Sequence, residues 1–254
     1  MTKRAAMLRS LVLIGGLGLV PGVAGPAPAT VTFNAADGVT IYARAWTAEQ
    51  PGAPTILLFH QAGSSKSEYA PLGPRLAQLG YNALAIDQRS GGDLYSPTNE
   101  TVQHLGRSEG YPAVLPDMEA ALSWAERTHP HAPVYVWGSS YSAALVFALA
   151  AKHPHEIGAV IAFSPGEYLD DKHFVRDAAR KVHVPVFIDS AADPQEERSA
   201  RDIFDAVASR TKEDYVPQAG IHGSSTLRED RDPAGAAENW TAVTAFLAKL
   251  HRAQ

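Results

Sequence analysis

The sequence predicts a single α/β domain, built on a doubly wound, mostly parallel sheet with helices on both faces. Short and continuously apolar runs alternate with segments of helical periodicity, which is the pattern of parallel strands that are buried on both faces. The chain has 254 residues, of which 45% are hydrophobic, and this is enough for one sizeable core. We therefore expect residues 30–254 to form one domain behind a short leader.

The sheet is expected to begin with an antiparallel hairpin, because residues 30–34 and 40–46 flank Asp37-Gly38, a hairpin turn signal. Six further strands are predicted, at residues 55–60, 82–86, 134–137, 159–163 and 184–188 and near Tyr215. Helical patterns cover residues 69–79, 115–127, 141–153, 194–209 and 233–251. Residues 89–112 show no clear periodicity and read as a surface loop. Ligands of such sheets bind outside the carboxyl ends of the strands, so functional residues are expected there.

The first 29 residues have the layout of a secretory signal peptide. Lys3, Arg4 and Arg9 precede an apolar run at residues 11–20, and a Pro-rich stretch leads to a predicted cleavage site near residues 27–29. An uncleaved anchor helix is the alternative, but the apolar run is shorter than the roughly 20 residues that span a bilayer. We expect an exported protein, periplasmic or secreted, with no stable membrane insertion after cleavage.

Charge and cysteine content exclude several classes of protein. The formal net charge is -5 and the basic residues are scattered, so the chain lacks the electrostatic footprint of nucleic-acid binding. The sequence contains no cysteine, which excludes disulfides, thiolate zinc sites and a lipid-bearing cysteine. A small soluble molecule is the expected partner.

The strongest local motif is Gly138-Ser-Ser-Tyr-Ser142, which lies between a predicted strand and a predicted helix. A serine in such a sharp turn exposes its hydroxyl at the strand end, beside backbone N–H groups at the helix N-terminus. This pattern predicts Ser140 as a nucleophile. Ser139 is the alternative nucleophile, but it lies one residue early for the turn. The alternative without catalysis is an ordinary turn in which a serine caps the helix.

A nucleophilic serine needs an adjacent base, usually a histidine that a carboxylate orients. His222 lies in a Gly-flanked loop after the last predicted strand, which favours it over His60 and His183. Asp193 follows the strand at residues 184–188 and is predicted as the orienting carboxylate. Asp189 is the alternative acid, and Asp193 by itself could equally cap the next helix.

A tetrahedral intermediate also needs two N–H donors for its oxyanion. The residue after the nucleophile, Tyr141, is predicted to supply one. The loop after the strand at residues 55–60 is predicted to supply the second, from Ala62, with Gln61 as the alternative.

With these motifs the chain resembles the α/β-hydrolase superfamily, and within it the dienelactone-hydrolase-like and small serine esterase branch, over about residues 31–250. Five motifs carry the resemblance: His60-Gln-Ala-Gly63, Asp87-Gln-Arg-Ser-Gly-Gly92, Gly138-Ser-Ser-Tyr-Ser142, Ala192-Asp-Pro194 and Gly220-Ile-His-Gly223. The resemblance implies an eight-stranded sheet and the hydrolysis of an ester, thioester or amide through an acyl-enzyme. It implies neither a metal nor an organic cofactor.

The sequence departs from the superfamily pattern at two positions and from the dienelactone hydrolases proper at a third. Gln61 replaces the usual glycine of the oxyanion loop, Ser142 replaces the last glycine of the nucleophile turn, and Ser140 stands where dienelactone hydrolases have cysteine. The short segment at residues 165–183 predicts little or no lid. Arg89 could bind a substrate carboxylate or tie down its own loop, and it is left outside the predicted site.

We therefore expect cleavage of a small or short-chain carboxylic ester. The alternatives are a peptidase or thioesterase that uses the same three residues, and a non-catalytic binding protein with the same fold.

Overall fold

The computed structural model describes residues 26–252. Most of the predicted leader falls on residues 1–25, outside the described residues, and it stays a prediction. No helix between residues 26 and 252 has the length and apolar character needed to cross a membrane.

Eight strands form one sheet, in the order β1-β2-β4-β3-β5-β6-β7-β8. The first two strands run antiparallel, and β3 to β8 run parallel to one another. The strands are β1 (Ala29–Asn34), β2 (Thr40–Trp46), β3 (Thr55–Phe59), β4 (Asn82–Ile86), β5 (Val134–Ser139), β6 (Ile157–Phe163), β7 (Val186–Asp189) and β8 (Lys212–Tyr215). The predicted fold class, hairpin start and number of strands are confirmed.

Seven helices connect or follow these strands in the described part of the chain. They are α1 (Leu72–Gln78), α2 (Glu100–Leu105), α3 (Leu115–Thr128), α4 (Tyr141–Lys152), α5 (Phe174–Ala179), α6 (Pro194–Ala206) and α7 (Ala236–Arg252). Helices α3 to α6 pack in the apolar core on one face of the sheet, and α1 and α7 pack in the core on the opposite face. The sheet is therefore doubly wound, as predicted.

Alternation along β3 shows why these strands are apolar throughout. Leu57 and Phe59 belong to the core under α3 and α4, whereas Ile56 and Leu58 belong to the core under α1 and α7. Because both faces are covered, every residue of the strand is buried.

Two segments differ from the sequence prediction. The first helix begins at Leu72 and not at residue 69, because Tyr69 ends a separate 3-10 turn, Lys66–Tyr69, and Pro71, which has no backbone N–H to donate, lies between the two helical segments. The predicted loop at residues 89–112 contains α2. The Asn99 side chain caps the start of this helix by accepting the Val102 N–H, and Gly106 ends it in the left-handed conformation.

Glycine at position 138 is required by the close approach of α4 to the end of β5. A Cβ there would lie 2.4 Å from the Ser142 carbonyl oxygen and 2.5 Å from the Ala143 nitrogen. Both are backbone atoms, so no side chain can move aside to make room.

We therefore expect Gly138→Ala to lower the free energy of unfolding by about 1–3 kcal/mol, the usual cost of overpacking. Urea unfolding followed by circular dichroism measures the change. Gly110→Ala is the control, because the nearest atom to a Cβ there is Pro112 Cδ at 3.9 Å. Equal stabilities for the two variants would contradict the steric argument.

Candidate active site

Ser140 occupies the sharp turn between β5 and α4. Its backbone has φ 59° and ψ -123°, a conformation that costs a non-glycine residue about 1–3 kcal/mol. The Ser140 N–H donates to the Phe163 carbonyl at 2.9 Å, which anchors the turn to the end of β6. The strained turn presents the hydroxyl at the carboxyl edge of the sheet, as the motif predicts.

His222 lies beside this hydroxyl. Its Nε2 is 2.7 Å from Ser140 Oγ, and its Nδ1 is 2.8 Å from Glu196 Oε1. The serine hydroxyl thus contacts the imidazole, and the imidazole contacts the carboxylate. In this arrangement an imidazole can remove a proton from serine. The structure therefore brings the predicted Ser140 and His222 together, but with an unpredicted carboxylate.

The prediction that Asp193 orients His222 is wrong. Asp193 caps α6, because its Oδ1 accepts the N–H groups of Gln195 at 2.9 Å and Glu196 at 3.1 Å. With Pro194 in the first helical turn, the cap fixes the start of the helix. Glu196 then projects from that first turn to His222. The pattern of Asp followed three residues later by Glu is a helix-start signal, which could have assigned Asp193 to the cap and left the orienting role to another acid.

The surroundings of Glu196 keep it charged. Burial raises its pKa, but hydrogen bonds from His222 and Ser164 and the charge of His222 outweigh burial, so the pKa is lowered. Ser164 also accepts the Gly223 N–H at 2.9 Å. The Ser164 hydroxyl therefore holds the loop that carries the histidine.

Asp189, the alternative acid, does not fit this role. It is buried at the end of β7, and neither carboxyl oxygen has a hydrogen-bond partner among the described residues. Burial, with the charges of Asp214, Asp232 and Glu238, raises its pKa well above the usual range. The carboxylate that contacts His222 Nδ1 is that of Glu196 instead.

Ser139, the alternative nucleophile, has a structural role. Its Oγ donates to Glu68 at 2.7 Å and accepts the Ser224 N–H at 2.8 Å. Both of these contacts are buried, and neither involves His222. The hydroxyl that the histidine can activate is therefore that of Ser140.

His60 and His183, the alternative bases, lie away from the serine hydroxyl. His60 is fully buried, with Nδ1 2.8 Å from the Gln61 carbonyl. Burial lowers the pKa of its imidazole. His183 lies exposed on the surface. The prediction that His222 contacts the nucleophile is the one that agrees with the geometry.

The two predicted oxyanion donors belong to the loop after β3 and to the start of α4. The Gln61 N–H donates to Glu68 Oε2 at 2.9 Å, which removes Gln61 as the alternative donor. Ala62 follows it in the loop. Tyr141 is the first residue of α4, where a backbone N–H has no partner within its helix. Both donors remain predictions.

The side chain of Tyr141 fixes that first helical residue. Its ring stacks on Tyr111 at 4.3 Å between centroids, and its hydroxyl donates to the Ser90 carbonyl at 2.9 Å. The loop after β4 therefore holds the residue that follows the nucleophile.

Ser142, where the superfamily pattern has glycine, adds hydrogen bonds. Its hydroxyl donates to the His60 carbonyl at 2.6 Å and accepts from Gln88 Nε2 at 3.0 Å. The departure from the pattern therefore links the nucleophile turn to the loop after β3.

A cavity of about 720 Å³ opens beside His222. Its lining is mainly polar and charged, and includes Glu167, Tyr168, Lys172, Asp202 and Ser199. The segment between β6 and β7, with the short helix α5, borders this cavity. No group of three or more residues suited to hold a metal ion occurs in the described part of the chain.

Arg89 ties down its own loop. Its guanidinium binds the fully buried Asp117, with Nη2 at 2.6 Å from Oδ1, and also Asp37, with Nη1 at 2.5 Å from Oδ2. These carboxylates engage the cation, so its exclusion from the predicted site agrees with the structure.

Solved structures of similar fold include a dienelactone hydrolase from Anabaena variabilis, with a TM-score of 0.71, 14% identity, and coverage of 89% of this chain and 98% of that one. An esterase from Pyrococcus furiosus aligns with a TM-score of 0.68 and 16% identity over 88% of this chain and 91% of its own. A thermostable carboxyl esterase from Bacillus coagulans aligns with a TM-score of 0.67 and 13% identity, over 88% and 99% of the two chains.

The fold is thus that of the α/β-hydrolases, and the order Ser, acid, His along the chain agrees with it. A family model described as serine aminopeptidase, S33, matches residues 50–184, more than half of the sequence. The chain belongs to this family. No curated protein matches the sequence.

Replacing Glu196 should separate its role from that of Asp193. We expect Glu196→Gln to slow covalent labelling of Ser140 by a fluorophosphonate on the order of 10³-fold, because the amide neither fixes the imidazole tautomer nor stabilises its cation. Asp193→Asn should label within about threefold of wild type, since asparagine also caps helices. The reverse ranking of the two labelling rates would restore Asp193 as the acid.

Removing Arg89 should destabilise the protein, because it leaves the buried Asp117 carboxyl without its cation. We expect Arg89→Met to lower the free energy of unfolding by about 3 kcal/mol or more. The control is Arg107→Met, which breaks an exposed pair with Glu109 and should cost less than about 1 kcal/mol. Denaturant unfolding compares them, and a cost below about 1 kcal/mol at Arg89 would refute a structural role for this pair.

Proposed function

We propose that the protein is a serine hydrolase that cleaves a small or short-chain carboxylic ester through an acyl-enzyme. The observation that carries the proposal is the contact of Ser140 Oγ with His222 Nε2 at 2.7 Å, with Glu196 on the other imidazole nitrogen at 2.8 Å. Family membership and the fold shared with esterases support it.

In the acylation step, His222 removes the hydroxyl proton while Ser140 Oγ attacks the ester carbonyl carbon. Glu196 accepts the Nδ1–H hydrogen bond and stabilises the imidazolium that forms. The N–H groups of Tyr141 and Ala62 stabilise the negative charge on the carbonyl oxygen. His222 then returns the proton to the leaving alkoxide, and the acyl group stays on Ser140.

Deacylation uses the same groups with water as the nucleophile. His222 takes a proton from water, the resulting oxyanion occupies the same two N–H donors, and the proton returns to Ser140 Oγ as the acid leaves. No additional residue is needed to complete the cycle.

The cavity favours a polar substrate of modest size. Most of the residues that line it are charged or polar, and these side chains can form hydrogen bonds and ion pairs with polar groups of a substrate. The exposed large hydrophobic residues of the described chain are Leu79, Leu94, Val216 and Ile221. They are single positions, with no sign of the broad apolar patch that binds lipid surfaces.

Peptide hydrolysis is the second candidate, because the matching family model is described as a serine aminopeptidase. An amide substrate would use the same nucleophile, base and oxyanion donors. Its leaving amine would take the proton from His222.

The first test measures hydrolysis of acetyl, butyryl and octanoyl p-nitrophenyl esters, an acyl thioester and an aminoacyl amide. We expect the short esters to be cleaved fastest. Ser140→Ala should lose on the order of 10⁴-fold or more in kcat, because the three residues act as a unit.

A fluorophosphonate counted per chain identifies the nucleophile independently of substrate. Wild type and Ser139→Ala should label, and Ser140→Ala should not. Labelling with preferred amide or thioester turnover would replace the ester assignment. A wild-type protein that neither labels nor turns over any of these substrates would indicate a non-catalytic binding protein.

A further inference from the structure

Glu68 is a fully buried carboxyl group behind the nucleophile turn. It lies in a single 3-10 turn, Lys66–Tyr69, which follows the loop after β3. One carboxyl oxygen, Oε2, accepts the Gln61 N–H at 2.9 Å. The second, Oε1, accepts the Ser139 hydroxyl at 2.7 Å and lies 3.3 Å from Gln61 Nε2.

Through these contacts Glu68 connects three loops of the site. Gln61 precedes the predicted oxyanion donor Ala62, and Ser139 precedes the nucleophile. Ser139 Oγ also accepts the Ser224 N–H at 2.8 Å, and Ser224 lies in the loop that carries His222. Glu68 thus bonds at once to the loop after β3 and to the end of β5.

Burial at this position destabilises a charged carboxyl group, because no cationic side chain in the described part of the chain pairs with it. Among the described residues, Glu68 has no Lys, Arg or His nitrogen within 4 Å. The buried Arg228 guanidinium donates to the backbone carbonyls of Ser67 and Glu68 and not to the carboxylate. Burial raises the pKa of Glu68, against the hydrogen bonds from Gln61, Ser139 and Ser64. A group that only filled space could be apolar at lower cost.

We propose that Glu68 is a positioning residue, which holds the oxyanion loop at a fixed distance from Ser140 by binding Gln61 and Ser139 at once. The proposal rests on the proposed hydrolase function. By fixing the peptide before Ala62, Glu68 limits the movement of the Ala62 N–H. It touches neither the substrate nor the reacting atoms.

The expected size of the effect follows from the geometry that an oxyanion hole needs. Its donors act because they are fixed before the charge develops, and loss of one donor costs about 10²–10³-fold in kcat. A loosened loop keeps the donor but places it less precisely. Loss of the Glu68 contacts should therefore lower kcat by about 10–100-fold, and KM should change less than about threefold, because ground-state binding is unaffected.

Glu68→Gln tests this with little change in shape. The Gln61 N–H and the Ser139 hydroxyl donate to different carboxylate oxygens, and the amide keeps only one of these as an acceptor, so it cannot accept both hydrogen bonds in the same geometry. The control is Glu119→Gln, the same substitution in a pair with Lys152 on the surface, away from the site. For each protein, the rate of p-nitrophenyl butyrate hydrolysis is divided by the number of active sites, which is counted by complete labelling with a fluorophosphonate. The inhibition constant of an alkyl boronic acid is measured separately.

A fall of about 10–100-fold in kcat per labelled site, with KM nearly unchanged and boronate binding weakened in parallel, supports the proposal. A merely structural role would reduce the number of labelled sites and leave turnover per site at the wild-type value, which overturns it. If Glu68→Gln does not fold, Ser139→Ala replaces it, because this removes one of the two anchors. It should lose about 3–10-fold in turnover per site, and an unchanged rate overturns the proposal.

The two proposals fail differently. A wild-type protein that does not label at Ser140 overturns both. A wild-type protein that labels and turns over, beside a Glu68→Gln variant with wild-type turnover per site, overturns only the role of Glu68.

Discussion

The close approach of α4 to β5 is the constraint on which the rest of the site depends. Gly138 lets the helix turn back against the strand, and the residue between them, Ser140, then takes a positive φ of 59°. That backbone conformation places one hydroxyl and the first N–H of a helix at the same edge of the sheet. Every other group of the site is arranged around this turn, and the Phe163 carbonyl holds it in place.

The acid reaches the histidine from a helix and not from a flexible loop. Asp193 uses its carboxylate to start α6, and the regular geometry of the first turn then fixes Glu196. The Glu196 carboxylate contacts His222 Nδ1 directly, and Ser164 holds the loop of His222 by accepting the Gly223 N–H. Each partner of the imidazole therefore lies at the start of a helix, Ser140 at α4 and Glu196 at α6, and the packing of that helix restricts its movement.

The sequence is sufficient for what depends on pattern and chain order, and insufficient for what depends on side-chain reach. Apolar runs identify strands such as β3 because both faces are buried, and the order of the motifs identifies Ser140 and His222. Periodicity does not show which of two acids, three residues apart, extends to a histidine, so it does not distinguish Glu196 from Asp193. Helix α2 escapes prediction because its six residues are too few for a period, although Asn99 and Gly106 mark its ends.

The anchoring of Tyr141 has a consequence for how this scaffold tolerates change. Surface loops generally accept insertions and exchanges, and the segment after β4 would be an obvious place to graft a longer binding loop. Here, however, the Ser90 carbonyl and the Tyr111 ring hold the residue that follows the nucleophile. A graft that displaced them would alter reactivity together with recognition, so evolution or engineering of new specificity is freer in the segment around α5, which borders the cavity.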